Sequence, residues 1–279
     1  MWKRSSFTGL WLLVLLFLAA SCNEFRKVQK STDWKEKYNA ALKYYEEKDY
    51  FRSSVLFEEV IPVIRGTPEA EKAQFYFAYA YYYQKQYILS SHYFQTFFQT
   101  YSRSQYAEES QYMYAYSLFL DSPAHNLDQS STKEAIQAMQ SFLNKYPTSK
   151  FKDEGTAIID ALQQKLETKG YENAKQYHKL ARYKASLIAF ENFKKDFPDS
   201  DLIQEVSYLE IEAQYLLAER SVLSKKKERY QKAVQMYLEF IDRYEGEENA
   251  YIKPAQKYYE DCLKAIEALA KAEKARSNL

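Results

Sequence analysis

Five stretches of this chain align with one another without a gap, and that internal repetition constrains the fold more than any other feature. They are DYFRSSVLFEEVIPVIRGT from Asp49, QYILSSHYFQTFFQTYSRS from Gln86, STKEAIQAMQSFLNKYPTS from Ser131, RYKASLIAFENFKKDFPDS from Arg182 and RYQKAVQMYLEFIDRYEGE from Arg229. A small residue recurs at Ser53, Ser90, Ala135, Ser186 and Ala233. Four places later stands a large side chain (Phe57, Phe94, Met139, Phe190, Tyr237), and three places after that another (Val60, Phe97, Phe142, Phe193, Phe240). Steps of three and four put these side chains on one face of a helix, with the small residue where a second helix can come close. Pro147 and Pro198 end two copies, and Gly66 and Gly246 end two others, as helix stops should.

A second helical pattern precedes the repeats: Ala41 and Tyr44 before Ser53, Ala78 and Tyr81 before Ser90, Ala174 and Tyr177 before Ser186. The resulting two-helix unit resembles the tetratricopeptide repeat, whose 34-residue pattern carries small, aromatic and Pro marks in this order. Here the copies lie 37, 45, 51 and 47 residues apart, a surplus expected in longer helices and in turns such as DSPAHNLDQSS (121–131) and ERSVLSKKK (219–227). One helix pair cannot bury its apolar face alone, so pairs must stack and share a core. The expected fold is all-α: a superhelical array of five tetratricopeptide-like pairs over residues 34–270. A last helix starting near Pro254 docks on the fifth pair, and a charged tail follows at 271–279.

Composition agrees. Five Gly and six Pro against 28 Tyr and 17 Phe leave few breakers and many large side chains, which favours long helices over a turn-rich β fold. With 39 Lys and Arg against 38 Asp and Glu there is no basic excess of the kind that marks nucleic-acid binding. Lys3 and Arg4 precede an apolar run through Leu10–Ala20 that is short for a bilayer span and ends in small residues at Cys22, the layout of a secretory signal. The site resembles a bacterial lipobox, with Leu18 one place further from the cysteine than usual. That resemblance implies cleavage after residue 21, acylation of Cys22, and a tether over 22–33 holding the protein to a membrane. Cys262 is then the other cysteine, and no intramolecular disulfide is expected.

No catalytic constellation is visible. His92, His125 and His178 fall in different repeats without metal-ligand spacing, and no phosphate loop or nucleophile motif occurs. Glu46-Glu47 and Glu58-Glu59 read as solvated helix faces. The acidic stretch from Asp121 to Asp128 lacks the ligand spacing of an EF-hand. Neither enzymatic activity, metal nor cofactor is expected, and Cys262 reads as a buried, inert thiol.

The first helices of the first three pairs carry an unusual density of aromatics. Register places Tyr38, Leu42 and Tyr45, then Phe75, Tyr79, Tyr82 and Tyr83, then Tyr112, Tyr116 and Phe119 on the concave face. These are the candidate lining of a groove for an extended or amphipathic peptide, with a glycan as the competing ligand and burial as core the alternative for any one ring. The C-terminal pairs are more charged (Lys225, Lys226, Lys227, Glu228, Arg229, Glu245 to Glu248), and Lys225, Lys226, Lys227 and Arg229 are candidate partner contacts.

Taken with the lipobox and the five pairs, YFQTFFQTYSRSQYAEESQYMYAYS and LDQSSTKEAIQAMQSFLNKYPTSKF are similar to segments of the BamD-like outer-membrane assembly lipoproteins, over Cys22 to about residue 265. The resemblance implies a lipid-anchored periplasmic scaffold of the β-barrel assembly machinery. Its N-terminal repeats would contact unfolded outer-membrane protein precursors, and its C-terminal repeats a BamA-like β-barrel assembly protein. Tetratricopeptide lipoproteins that pilot secretins or coordinate cell-wall synthesis keep the same fold and anchor with other clients, and a surface glycan-binding lipoprotein is a third reading.

Overall fold

The structure, a computed structural model, describes residues 24–244, 246 and 250–277. The signal segment and Cys22 lie outside the described residues, as do Glu245, Glu247 and Glu248. A short helix α1 (residues 24–29) is followed by α2 (Trp34–Glu46), α3 (Tyr50–Val60), α4 (Pro68–Tyr83), α5 (Tyr87–Thr100), α6 (Ala107–Asp121), α7 (Ser130–Lys145), α8 (Lys152–Lys179), α9 (Tyr183–Asp196), α10 (Ile203–Glu219), α11 (Leu223–Arg243) and α12 (Ile252–Ser277). No strand occurs among the described residues. The chain forms two compact units, Met1–Leu162 and Gln163–Leu279.

The five aligned stretches are the second helices of five pairs: α3, α5, α7, α9 and α11. Their small residues Ser53, Ser90, Ala135, Ser186 and Ala233 are all buried, and so are Phe57, Phe94, Met139 and Phe190 four places on. Tyr237 in the fifth pair is only half-buried. Ser53 Oγ donates to the Ala41 carbonyl at 2.9 Å and Ser90 Oγ to the Ala78 carbonyl at 3.3 Å, so the small side chain rests on the backbone of the paired helix.

The turn inside the pair is equally regular. Lys48, Lys85 and Ala181 adopt left-handed backbone, with φ of 62°, 60° and 55°. In each case two backbone bonds close the preceding helix: Lys48 N to Tyr45 O at 3.0 Å and Asp49 N to Tyr44 O at 2.8 Å, repeated at Lys85/Gln86 and Ala181/Arg182. This is the Schellman closure, in which Gly is the usual occupant of the left-handed position. Asp49 then caps α3, its Oδ1 accepting from Arg52 N at 3.1 Å.

In unit 1, one core joins α2, α3 and the start of α4 around Leu56, Phe57, Val60 and Phe77. Another joins α4 to α7 with the first turns of α8 around Phe94, Phe97, Met139, Phe142 and Leu162. Gly155 on α8 is set so close to α7 that a Cβ there would meet Met139 Sδ at 3.0 Å and would require Met139 or Leu143 to shift. In unit 2, separate clusters form around Phe190 and Phe193, around Phe240 and Ala255, and around Ala233 and Cys262. Burial pushes the Cys262 thiol up to about 12, so it stays protonated.

Three stretches differ from expectation. Residues 121–131 do open into a loop at 122–129, but most of 219–227 does not: α11 starts at Leu223, and the surplus becomes extra helical turns ahead of Tyr230. Lys225 to Arg229 carry no Gly or Pro to stop a helix, which accounts for this. Part of the expected tether is helix α1, whose Phe25 packs edge-on to Tyr44 at 5.8 Å. Finally, α12 runs to Ser277, through most of the stretch read as a tail.

Candidate functional site

The aromatic side chains of α2, α4 and α6 divide between core and surface. Tyr38, Phe75 and Tyr112, assigned to the groove by register, are buried. Phe75 sits against Phe94, Phe97 and Tyr106, and Tyr112 stacks on Phe151 at 4.1 Å. Both faces of α4 and α6 are apolar, because each helix is flanked by its own partner and by the preceding pair, so register alone does not separate inner from outer rings.

Leu42, Tyr45, Tyr79, Tyr82, Tyr116 and Phe119 are half-buried and Tyr83 is exposed. Their aromatic members form one connected strip of rings. Tyr45 meets Tyr76 at 4.6 Å and Tyr83 at 6.2 Å; Tyr83 stacks on Tyr50 at 4.5 Å and touches Tyr79 at 5.8 Å and Tyr82 at 5.2 Å. Tyr82 reaches Tyr116 at 6.2 Å, and Tyr116 reaches Phe119 at 5.9 Å. Spacings of three and four residues on α4 and α6 align rings within a helix, and stacking of pairs aligns them between helices.

Burial raises the hydroxyls of Tyr45 and Tyr79 well above the ordinary tyrosine range and that of Tyr82 to about 12, so all remain neutral donors at physiological pH. The Tyr79 hydroxyl donates to Glu109, which reinforces its shift. At one end of the strip a cleft of about 260 Å³ opens between Leu42, Tyr45, Glu46, Lys48, Tyr50, Lys72 and Tyr76. It is smaller than the roughly 300–1,000 Å³ typical of small-molecule pockets. A cleft of this size has room for about one side chain, with Tyr ring edges and hydroxyls along its walls.

A second, more apolar cleft of about 620 Å³ lies between the turn after α3, α4 and α5, lined by Ile61, Arg65, Gln74, Phe77, Tyr93, Thr96 and Tyr101 among others. Sequence reasoning missed it. Tyr93 is the one signal that points there: it lies three residues after the small residue of its repeat, and its ring packs on Phe77 at 4.5 Å and Tyr81 at 5.1 Å.

In unit 2 the corresponding helices mix Tyr with charge. Lys175 Nζ donates to Tyr171 at 2.6 Å and lies 3.3 Å from Glu205, and Tyr258 donates to Glu212 at 2.6 Å. His178 Nε2 lies 3.5 Å from Glu212, yet burial holds its imidazole below the usual range against the pull of that carboxylate. Of the four proposed partner contacts, Lys225 pairs with Glu228 at 3.0 Å, Lys227 with Glu273 of α12 at 3.0 Å, and Arg229 donates to Ser221. Lys226 is half-exposed beside them. Among the described residues no three His, Cys, Asp or Glu side chains converge as metal ligands, and no helix is long and apolar enough to cross a membrane.

Two crystal structures of nearly identical TPR-like repeats from a putative kinesin light chain of Podosopora anserina, one of them carrying a single substitution, resemble the chain. Each has 11% identity and a TM-score of 0.32, covering 74% of this chain and 94% or 95% of theirs. No curated protein matches. The model of the YfiO family, described as outer membrane lipoprotein, matches residues 30–232, from just before α2 into α11. That match spans well over half of the chain, which therefore belongs to the YfiO family of outer membrane lipoproteins.

Proposed function

We propose that this protein is a non-catalytic, lipid-anchored scaffold on the periplasmic face of the outer membrane, serving β-barrel assembly. Cys22, acylated after signal cleavage, holds it to the membrane. Unit 1 binds β-barrel precursors along its aromatic strip, and the charged helices of unit 2, with Lys225, Lys226, Lys227 and Arg229, contact a BamA-like partner. The observation that carries the reading is the strip from Tyr45 through Tyr83 and Tyr82 to Tyr116: connected rings that the fold leaves partly open to solvent. Unfolded precursors present alternating apolar side chains on an extended backbone, which such rings and neutral hydroxyls suit.

Gentle detergent extraction of the native protein, with identification of what co-purifies, tests the assignment. A large β-barrel protein with periplasmic repeat domains is the expected companion. A secretin or a wall-synthesis protein in its place would discard the β-barrel role and keep the fold. Tyr82→Ala with Tyr116→Ala is expected to weaken binding of unfolded precursor by about tenfold or more, since buried aromatic anchors are worth roughly 2 kcal/mol and upward. Unchanged binding removes the strip from the site.

A further inference from the structure

In unit 1 the turns within helix pairs and the turns between pairs lie at opposite ends of the helices. With α4 of 16 and α6 of 15 residues, the two edges are about 20 Å apart. They differ in character. The within-pair edge exposes Phe51, Ile88, Leu89 and Leu127, at 65%, 65%, 40% and 56%. The between-pair edge, at 61–67, 101–106 and 146–151, exposes one large apolar side chain among the described residues, Val63.

Both edges carry exposed cations, Arg65, Arg103 and Lys150 at the between-pair turns, so it is the apolar side chains that distinguish the within-pair edge. Lys48 and Lys85 occupy the left-handed positions of the first two turns, where the backbone favours Gly, and Lys43 and Lys133 are exposed nearby. Its acidic groups are mixed: Asp49 pairs with Arg52 at 3.2 Å and Glu47 lies 4.0 Å from Lys43, whereas Glu46 is exposed at the first turn.

The chain enters unit 1 at this edge. Glu24 lies 3.7 Å from Lys43, and Phe25 packs between Tyr44 and Arg52, the residues flanking the first turn. Further along, Gln29 reaches Glu59 at the far end of α3, so α1 runs away from that edge. Cys22 is two residues before Glu24, a reach of at most about 7 Å.

We infer that the within-pair edge of unit 1 lies against the membrane, with Phe51, Ile88 and Leu127 in the headgroup boundary and Lys48 and Lys85 on anionic headgroups. This rests on the anchored reading above. A lipid attached two residues before Glu24, whose carboxylate meets Lys43 at this edge, brings the bilayer to it. Apolar side chains flanked by lysine are the composition that an anionic lipid interface takes up. The aromatic strip then runs beside the membrane surface, where a precursor awaiting insertion is needed.

The test uses the acylated full chain reconstituted in phosphatidylethanolamine and phosphatidylglycerol vesicles doped with a headgroup-level nitroxide lipid. A fluorophore is placed on Ile88→Cys or, at the opposite edge, on Arg103→Cys; Cys262 is fully buried and does not compete for label. Several-fold stronger quenching at position 88 than at 103 is expected. Equal quenching, or stronger quenching at 103, overturns the inference. The mass of the mature chain reports acylation separately: an acylated chain unquenched at 88 refutes the orientation alone, whereas a chain without lipid refutes the anchoring and the orientation together.

Discussion

Ser53 Oγ donates to the Ala41 carbonyl oxygen at 2.9 Å, twelve residues back and on the other helix of its pair. Ser186 holds the same register position over Ala174, but its hydroxyl is buried without a hydrogen-bond partner. One repeated steric role therefore carries two different energies. Ser53→Ala is expected to cost about 1 kcal/mol, the net worth of a typical hydrogen bond. Ser186→Ala is expected to be neutral or slightly stabilising, because it removes a desolvated hydroxyl that bonds nothing. Urea unfolding of the two variants checks this; no loss in either would show that the serines act only through size, and equal losses that Ser186 makes a bond like that of Ser53.

Lys85 tests the turn. A left-handed backbone costs an L-residue roughly 1 kcal/mol that glycine avoids, partly offset by the greater freedom of Gly when unfolded. Lys85→Gly is expected to raise stability by a few tenths to about 1 kcal/mol, read as an increased denaturant midpoint at unchanged slope. A loss would mean that the lysine stem makes a packing contribution.

Lys194 and Glu210 form an ion pair in unit 2 whose carboxylate is almost wholly buried. Burial raises Glu210 above its usual 4.5, and the nearby Lys194 only partly opposes this. The native state thus binds more protons than the unfolded state from that value upward, so this group's contribution falls as pH rises through the folded value. Lys194→Met is expected to cost about 2 kcal/mol or more at pH 7, below the roughly 3–5 of a fully enclosed pair because Lys194 keeps 30% exposure. The loss should shrink toward pH 5 as Glu210 takes up a proton, and Lys194→Met with Glu210→Leu should recover most of it. Denaturation at the two pH values decides; a loss independent of pH would place the effect in the lysine's aliphatic packing.

Much of the architecture was legible in the sequence because its determinants are local. The step from a small residue to large ones four and seven places on needs only helical geometry, and it is enough to put Ser90, Phe94 and Phe97 in the core. The partner helix was legible through the twelve-residue step from Ala78 to Ser90, set by the length of a tight turn. Tertiary structure alone decided which rings stay open. Phe75 and Tyr79 stand four residues apart on one helix, yet one is enclosed by Phe94, Phe97 and Tyr106 while the other reaches the surface strip. That difference depends on side chains some twenty to thirty residues away, which helical period does not encode. The apolar edge of unit 1 is of the same kind. Phe51 and Ile88 stand two places before the small residues of their repeats, but Leu127 lies in the 122–129 loop, outside that register. They share an edge only because stacking brings the turns of three helix pairs to one side, where Phe25 also brings in the N-terminal end of the described chain.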